Sequence, residues 1–330
     1  MLAPEVTGLK MLFACFLCAY LMFDPEMCIA RAQEAMLLWA RCVAPGIFPF
    51  LVLLPFFTSA EAQWVYEKLF GRLFSRIFRL GSGAVPCVVC GLIGGSPAGA
   101  ISIRKAYRAG KTDSHEALTA LTLASGLSPV FLVCGVGQGM FSDALTGVKI
   151  LICSIVSGGI SAFIASRLPI KGRKIKCAFE NRQAEETGAV ASGVNAALSV
   201  CGWMVLFSVY SGRLPEIAGV WCEVSQGCAY AAQTGNRPLA CAAACFSGAC
   251  VLMQNAACLI SAGGEVFLFF TLKCVQCALG TGMFLLLDGA WKGQTVFSAD
   301  AFTVSAGIAV GLVVVISIIF SKELKKNVWH

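Results

Sequence analysis

Apolar positions along this chain fall in long unbroken runs rather than at helical or alternating spacing. A run of about 20 apolar residues crosses a bilayer. Eight such runs are present, at 7–23, 43–60, 115–138, 145–166, 189–210, 239–262, 265–288 and 301–321. Two further apolar stretches, 83–103 and 214–232, are too interrupted by glycine, proline and polar residues to be plain spans. The first carries GLIGGSPAGA, residues 91–100. Backbone that leaves a helix at membrane depth frees N–H and C=O groups, which are tolerated only inside protein or beside a water-filled cavity. Both stretches therefore read as re-entrant helical hairpins, the kind of broken element from which transporters build substrate sites. The expected fold is an all-α polytopic membrane protein of about eight spans and two hairpins.

Composition agrees with this reading: 58% of residues are hydrophobic, 13% are charged and the mean hydropathy is +0.78. The first run reads as a retained span and not a signal peptide, since it lacks a basic n-region beyond Lys10 and Asp24-Pro25 follows in place of a small-residue cleavage site. The 18 cysteines lie mostly inside apolar segments, where cysteine packs as a small hydrophobe. Cys15/Cys18, Cys87/Cys90 and Cys274/Cys277 have CxxC spacing, yet none adjoins a histidine or a loop that closes a zinc site. No metal or cofactor is expected.

Charge sets the orientation. The loop 167–188 carries Arg167, Lys171, Arg173, Lys174, Lys176 and Arg182, and the tail carries Lys322, Lys325 and Lys326. The positive-inside rule makes both cytoplasmic. With the second hairpin returning to the outer side, 18 of the 25 lysines and arginines fall inside, and both termini are cytoplasmic. The two hairpins then enter from opposite faces, each in a unit of span, hairpin, span with a Ser-Gly pair, and span. The expected organisation is an N-terminal span and outer linker (1–42), a first inverted repeat (43–166), the basic cytoplasmic loop (167–188), a second inverted repeat (189–288), and a C-terminal span with a basic tail (289–330).

GLIGGSPAGA followed by LTLASGLSPVFLVCGVG resembles the nucleoside-recognition, or Gate, domain, which is similar to concentrative nucleoside transporters. With PGIFPFLVLLPF before these motifs and EVSQGCAYA and CFSGACVLMQ after them, residues 35–290 resemble the YlbJ/SpoVV family of sporulation membrane proteins. The resemblance implies export of dipicolinic acid from the mother cell across the outer forespore membrane, with a small anionic substrate and a coupling proton or sodium ion as partners. It leaves room for a homo-oligomer and implies no nucleic-acid partner. Where the Gate family carries asparagines before its proline, this chain reads Ser125-Gly126-Leu127-Ser128-Pro129, so those polar contacts do not carry over.

From the residues themselves, the candidate site is the set of polar groups held at mid-membrane depth. Gly94, Gly95, Ser96, Pro97 and Gly99 form the first hairpin tip, whose free N–H groups suit a carboxylate. Ser125 and Ser128, one helical turn apart, are placed to face it. Glu223, Ser225, Gln226 and Gly227 form the second tip, with Ser247, Gln254 and Asn255 on the following span. The plainer reading of these serines and glycines is close helix packing. Glu223 stands apart, because a carboxylate between apolar segments costs about 2.5–3.5 kcal/mol on insertion scales; it is the candidate coupling-ion group. Lys273 reads as a snorkelling lysine in preference to a counter-charge for an anionic substrate. Lys149 reads as interfacial. The competing classes are a nucleoside or other small-solute carrier, a non-transporting assembly protein of the spore envelope, and an intramembrane serine hydrolase. The last lacks its elbow, since Ala98 replaces the final glycine and neither His115 nor His330 is placed beside Ser96. The chain is expected not to be an enzyme.

Overall fold

The computed structural model describes residues 15, 17–57, 59–170, 172–173, 188–262 and 264–292. The run at 301–321, the basic tail, most of the loop 167–188 and most of the run at 7–23 lie outside these residues. Among the described residues all regular structure is helical, and five helices are long and apolar enough to cross a membrane. The chain is an all-α polytopic membrane protein.

Helix α1 runs from Pro25 to Phe57, with a single π-helical turn at Trp39–Val43. It begins at Pro25 because proline suits the first turn and Asp24 accepts the Met27 amide at 3.2 Å. Residues 25–42, expected as part of an outer linker, are thus the first half of a 33-residue helix. Amphipathic α2 (Ala60–Phe78) follows, with Trp64, Leu69 and Leu73 exposed and the Lys68 ammonium 4.9 Å from the centre of the Trp64 ring. Its mixed face reads as an interfacial helix.

Helices α3 (Val85–Gly94) and α4 (Ser96–Arg108) form the first hairpin around Gly95. Helix α5 (Ser114–Ala124) opens on a capping box between Asp113 and Glu116. The expected span 115–138 is not continuous: the chain leaves the helix at 125–128 and resumes at Pro129 into π-helical α6 (Phe131–Met140). Helix α7 (Ala144–Arg167) closes the first unit.

The second unit repeats this order. Helix α8 (Ala189–Ser211) leads to a hairpin of α9 (Glu216–Cys222) and α10 (Val224–Gln233) around Glu223. Helices α11 (Arg237–Phe246) and α12 (Gly248–Ser261) are two parts of one span, broken at Ser247, and α13 (Val266–Lys292) completes the unit.

Corresponding helices of the two units run antiparallel. The start of α1 meets the end of α8 through an Asp24–Arg213 ion pair of 3.2 Å and a bond from Ser208 Oγ to the Arg31 carbonyl. At their other ends, Gly193 of α8 lies against Val52 of α1. Likewise Lys149, near the start of α7, pairs with Asp288, near the end of α13, at 2.9 Å. The second arms of the hairpins cross over: α4 packs on α12, and α10 packs on α6. Because α1 and α8 are antiparallel, the hairpins that follow them start from opposite ends of the bundle. At the end where the first hairpin opens, the Arg167 guanidinium reaches the Ile77 carbonyl and Arg173 exchanges two hydrogen bonds with Ser114.

Candidate functional site

The first tip is fixed by backbone geometry. Gly95 sits at φ +82 and ψ −175, a region reserved to glycine. A Cβ there would lie 2.8 Å from the Ser128 amide nitrogen, so the tip rests directly on the break between α5 and α6. Below it, a Cβ on Gly99 would lie 2.9 Å from the Ala124 carbonyl oxygen, and one on Gly94 would lie 2.9 Å from the Ala98 Cβ. These two glycines therefore hold the hairpin arms and α5 together and do not reach the cavity described next.

The second tip is built by Glu223. Its carboxylate accepts the amides of Ser225 (3.0 Å) and Gln226 (2.8 Å), which makes it the N-cap of α10. It is 1% exposed. Among the described residues no basic side chain forms an ion pair with it. A Cβ on Gly227 would lie 2.6 Å from the Val220 carbonyl oxygen, so this glycine closes the hairpin arms on each other.

Both tips face one cavity of about 50 Å³, bordered by Gly95, Ser96, Pro97, Ser128, Glu223, Ser225 and Gln254. At roughly 10–15 Å³ per water, that is space for a few waters and not for an aromatic solute. Its remaining wall is apolar, with Ile47 from α1, Phe131 from α6, and Val200 and Met204 from α8. These four were absent from the candidate set, since nothing distinguishes them in sequence from other apolar span residues.

The tips are electrostatically unequal. Helix α4 starts at the cavity and no side chain caps it, whereas α10 starts there with Glu223 already bound. The α4 N-terminus therefore keeps unmatched N–H groups and a positive dipole end for an anion. Beside it, Ser96 Oγ donates to Asn255 Oδ1 at 2.8 Å, both side chains being buried. Asn255 Nδ2 has no partner among the described residues.

The other expected residues fall elsewhere. Ser125 and Ser128 do not share a helical turn, because the helix ends at Ala124 and both lie in the break before Pro129. Ser128 caps α6 by accepting the Phe131 amide, and Ser125 turns back to the Thr122 carbonyl. Ser247 lies behind the cavity in left-handed backbone (φ +73), with its hydroxyl 3.4 Å from the Ser125 carbonyl. Gln226 points away, donating to Ser208 Oγ at 2.5 Å on the edge of a second, polar cavity of about 410 Å³ between α1, α8 and the second hairpin. Lys273 does not snorkel. It is 0% exposed and donates to Ser247 Oγ (3.0 Å) and Gln276 Oε1 (2.9 Å), because α13 turns this position toward α11 and α7 and not toward lipid. Lys149, expected at the interface, is largely covered by its pairing with Asp288. Among the described residues no group of three His, Cys, Asp or Glu side chains is arranged to hold a metal ion.

Fold and site together define a polytopic helical membrane protein with a small cavity bordered by the tips of two helical hairpins. The chain is similar to the sporulation integral membrane protein YlbJ of Bacillus subtilis (strain 168), with 22% identity over an alignment of 229 residues that covers 62% of this chain. The match spans 56% of that relative's length, and it points to the same family as the motifs. No family model matches the chain. No solved structure matches it.

Proposed function

We propose that the protein is a secondary transporter that moves a small anionic metabolite by alternating access between its two hairpins. One observation carries this reading: hairpin tips that start from opposite ends of the bundle border the same cavity, one presenting an open helix N-terminus and the other a buried carboxylate. Parting one tip opens the cavity to one face of the membrane, and parting the other opens it to the opposite face. The cavity's small volume then belongs to a closed conformation. The 410 Å³ polar cavity beside Gln226 is the vestibule on the side of the second hairpin.

In this reading the two units form an inverted repeat, and the basic end of the bundle faces the cytoplasm. The substrate carboxylate binds at Ser96 and the α4 N-terminus, and Glu223 carries the coupling proton or cation. Dipicolinic acid is the proposed substrate on the family resemblance, exported across the outer forespore membrane. No catalytic role is assigned: Ser96 Oγ is bonded to an amide, and His115 Nε2 lies 3.0 Å from the Ala165 carbonyl.

A nucleoside is the second reading, favoured by the Gln254 carboxamide on the cavity, which suits a base edge, with the unpartnered Asn255 amide buried behind Ser96. Uptake of labelled dipicolinate and of a labelled nucleoside into proteoliposomes, with and without proton and sodium gradients, separates the two. Gradient-driven accumulation of dipicolinate is expected. Accumulation of the nucleoside alone would reverse the substrate assignment, and no accumulation of either would leave a non-transporting assembly protein.

A further inference from the structure

Lys273 is the least expected polar group in the molecule. It lies in the eighth position of α13 and is fully buried, yet no carboxylate is paired with it among the described residues. Its ammonium is held by a serine hydroxyl and a carboxamide. An ionisable group buried in a span is expensive and marks a task.

The surroundings name the task. Helix α5 ends at Ala124 and α11 ends at Phe246, both in mid-span, and the two ends meet where Ser247 Oγ lies 3.4 Å from the Ser125 carbonyl. Each end is a helix C-terminus and so the negative pole of its dipole, although the Thr122, Ala243 and Ala244 carbonyls already accept from Ser125 and Ser247. Two such poles side by side in a low-dielectric interior repel, and they attract a cation. In transporters with broken helices, half-helix C-termini of this kind coordinate a mobile sodium ion or proton. Here the position next to the crossing is taken by Lys273 Nζ, 3.0 Å from Ser247 Oγ. Gln276 anchors it, accepting from Nζ through Oε1 while its Nε2 donates to the Ser154 carbonyl of α7 at 3.1 Å. The lysine thus ties α13, α7 and both breaks into one network. Gly248, the residue after Ser247, also abuts the second hairpin tip, since a Cβ there would lie 2.9 Å from the Val224 amide nitrogen.

We propose that Lys273 is a built-in cation, covalently fixed in the place where a mobile cation would otherwise hold the two broken helices together. It neutralises the paired helix ends and is not the counter-charge of the substrate, since it does not border the cavity between the tips. The consequence for transport rests on the transporter reading: this crossing needs no sodium, and coupling is left to Glu223 alone.

The test compares the full-length parent with Lys273→Ala and Lys273→Met, using melting in detergent and dipicolinate uptake, each in choline, sodium or methylammonium chloride. Removing the side chain to alanine opens space for a free cation; methionine fills the space without charge. Melting and uptake of each variant are read against the parent in the same salt, so that any cation bound at Glu223 cancels. Lys273→Ala should melt lower in choline and regain stability in sodium or methylammonium, and its uptake should fall at least 10-fold in choline and recover in parallel. Lys273→Met should be destabilised and unresponsive to either cation. A Met variant as stable and active as the parent, or an Ala variant that neither cation restores, would overturn the proposal. A cation-dependent melting shift in Lys273→Ala, with no uptake by any form, would keep the cation site and remove the transporter reading instead.

Discussion

Gly95→Ala adds a single methyl group at the point where the first hairpin touches the first broken span. Two costs follow from the geometry. Alanine at φ +82, ψ −175 occupies backbone space used almost only by glycine, at about 1–3 kcal/mol. The new Cβ would also lie 2.8 Å from the Ser128 nitrogen and 3.1 Å from its Cβ, an overlap with rigid groups of the kind that costs about 1–3 kcal/mol in packed cores. The sum is roughly 2–6 kcal/mol. The chain relieves it most cheaply by lifting the tip off Ser128, which opens the cavity on that side. At about 1.4 kcal/mol per factor of ten, even the lower bound shifts the closed-to-open balance more than 10-fold. Gly202→Ala is the control: a Cβ in the middle of α8 meets nothing within 4 Å, and the exchange should be neutral or stabilising by up to about 1 kcal/mol. The assay is dipicolinate uptake per mole of reconstituted protein, alongside the melting temperature in detergent. Gly95→Ala should insert and accumulate, melt lower than the parent, and lose at least 90% of uptake, while Gly202→Ala keeps both. Equal uptake and equal melting for the two variants would refute the assignment of Gly95 as the contact that closes the tip.

Glu223→Gln keeps the shape of the second tip but removes its charge, and with it about 0.3–2 kcal/mol of interaction with the α10 dipole; gradient-driven accumulation should fall by more than 10-fold while counterflow exchange is largely kept. Accumulation equal to that of the parent would show that Glu223 is not the coupling group. Asn255→Ala leaves Ser96 Oγ without its buried acceptor, at about 1–3 kcal/mol, and should weaken substrate binding in isothermal titration more than Gln254→Ala does; the reverse order would place the polar contact on Gln254. Site-directed labelling should find Arg213 and Arg237 together on the outer face and residues 171–176 in the cytoplasm. Labelling of Arg213 and Arg237 from opposite faces would turn the second hairpin into a full span.

Much of the architecture was legible because it depends on composition over long stretches. Long apolar runs give spans, and Gly-Gly-Ser-Pro inside such a run cannot remain one straight helix, so the first hairpin could be read from residues 91–100. Glu223 was legible for a related reason, as a charge with no cheap place to go. What could not be read was direction. Whether Gly94 faces the cavity or α1 depends on the rotation of a ten-residue helix, and one position around the axis separates lining Gly95 from packing Gly94. Lys273 was misread on the same ground, since its distance from the interface allowed snorkelling and only the packing of α13 against α11 and α7 turned it inward. The break at 125–128 was hidden because LTLASGLSPVF is apolar enough to pass as a continuous span, and its Ser-Gly and Ser-Pro pairs register only once Gly95 is seen against Ser128. Amphipathic α2 was passed over because its lysines and arginines were counted only as topology signals.

The central claim is that one cavity, closed by two opposed hairpins, carries a solute across the membrane, and counterflow measures this without presuming a driving ion. Proteoliposomes loaded with unlabelled dipicolinate and diluted into a trace of labelled dipicolinate should take up label transiently above its equilibrium level, and Gly95→Ala should abolish the overshoot. Label that only equilibrates, or that fails to enter through the parent protein at all, would contradict a carrier with a single alternately exposed dipicolinate site.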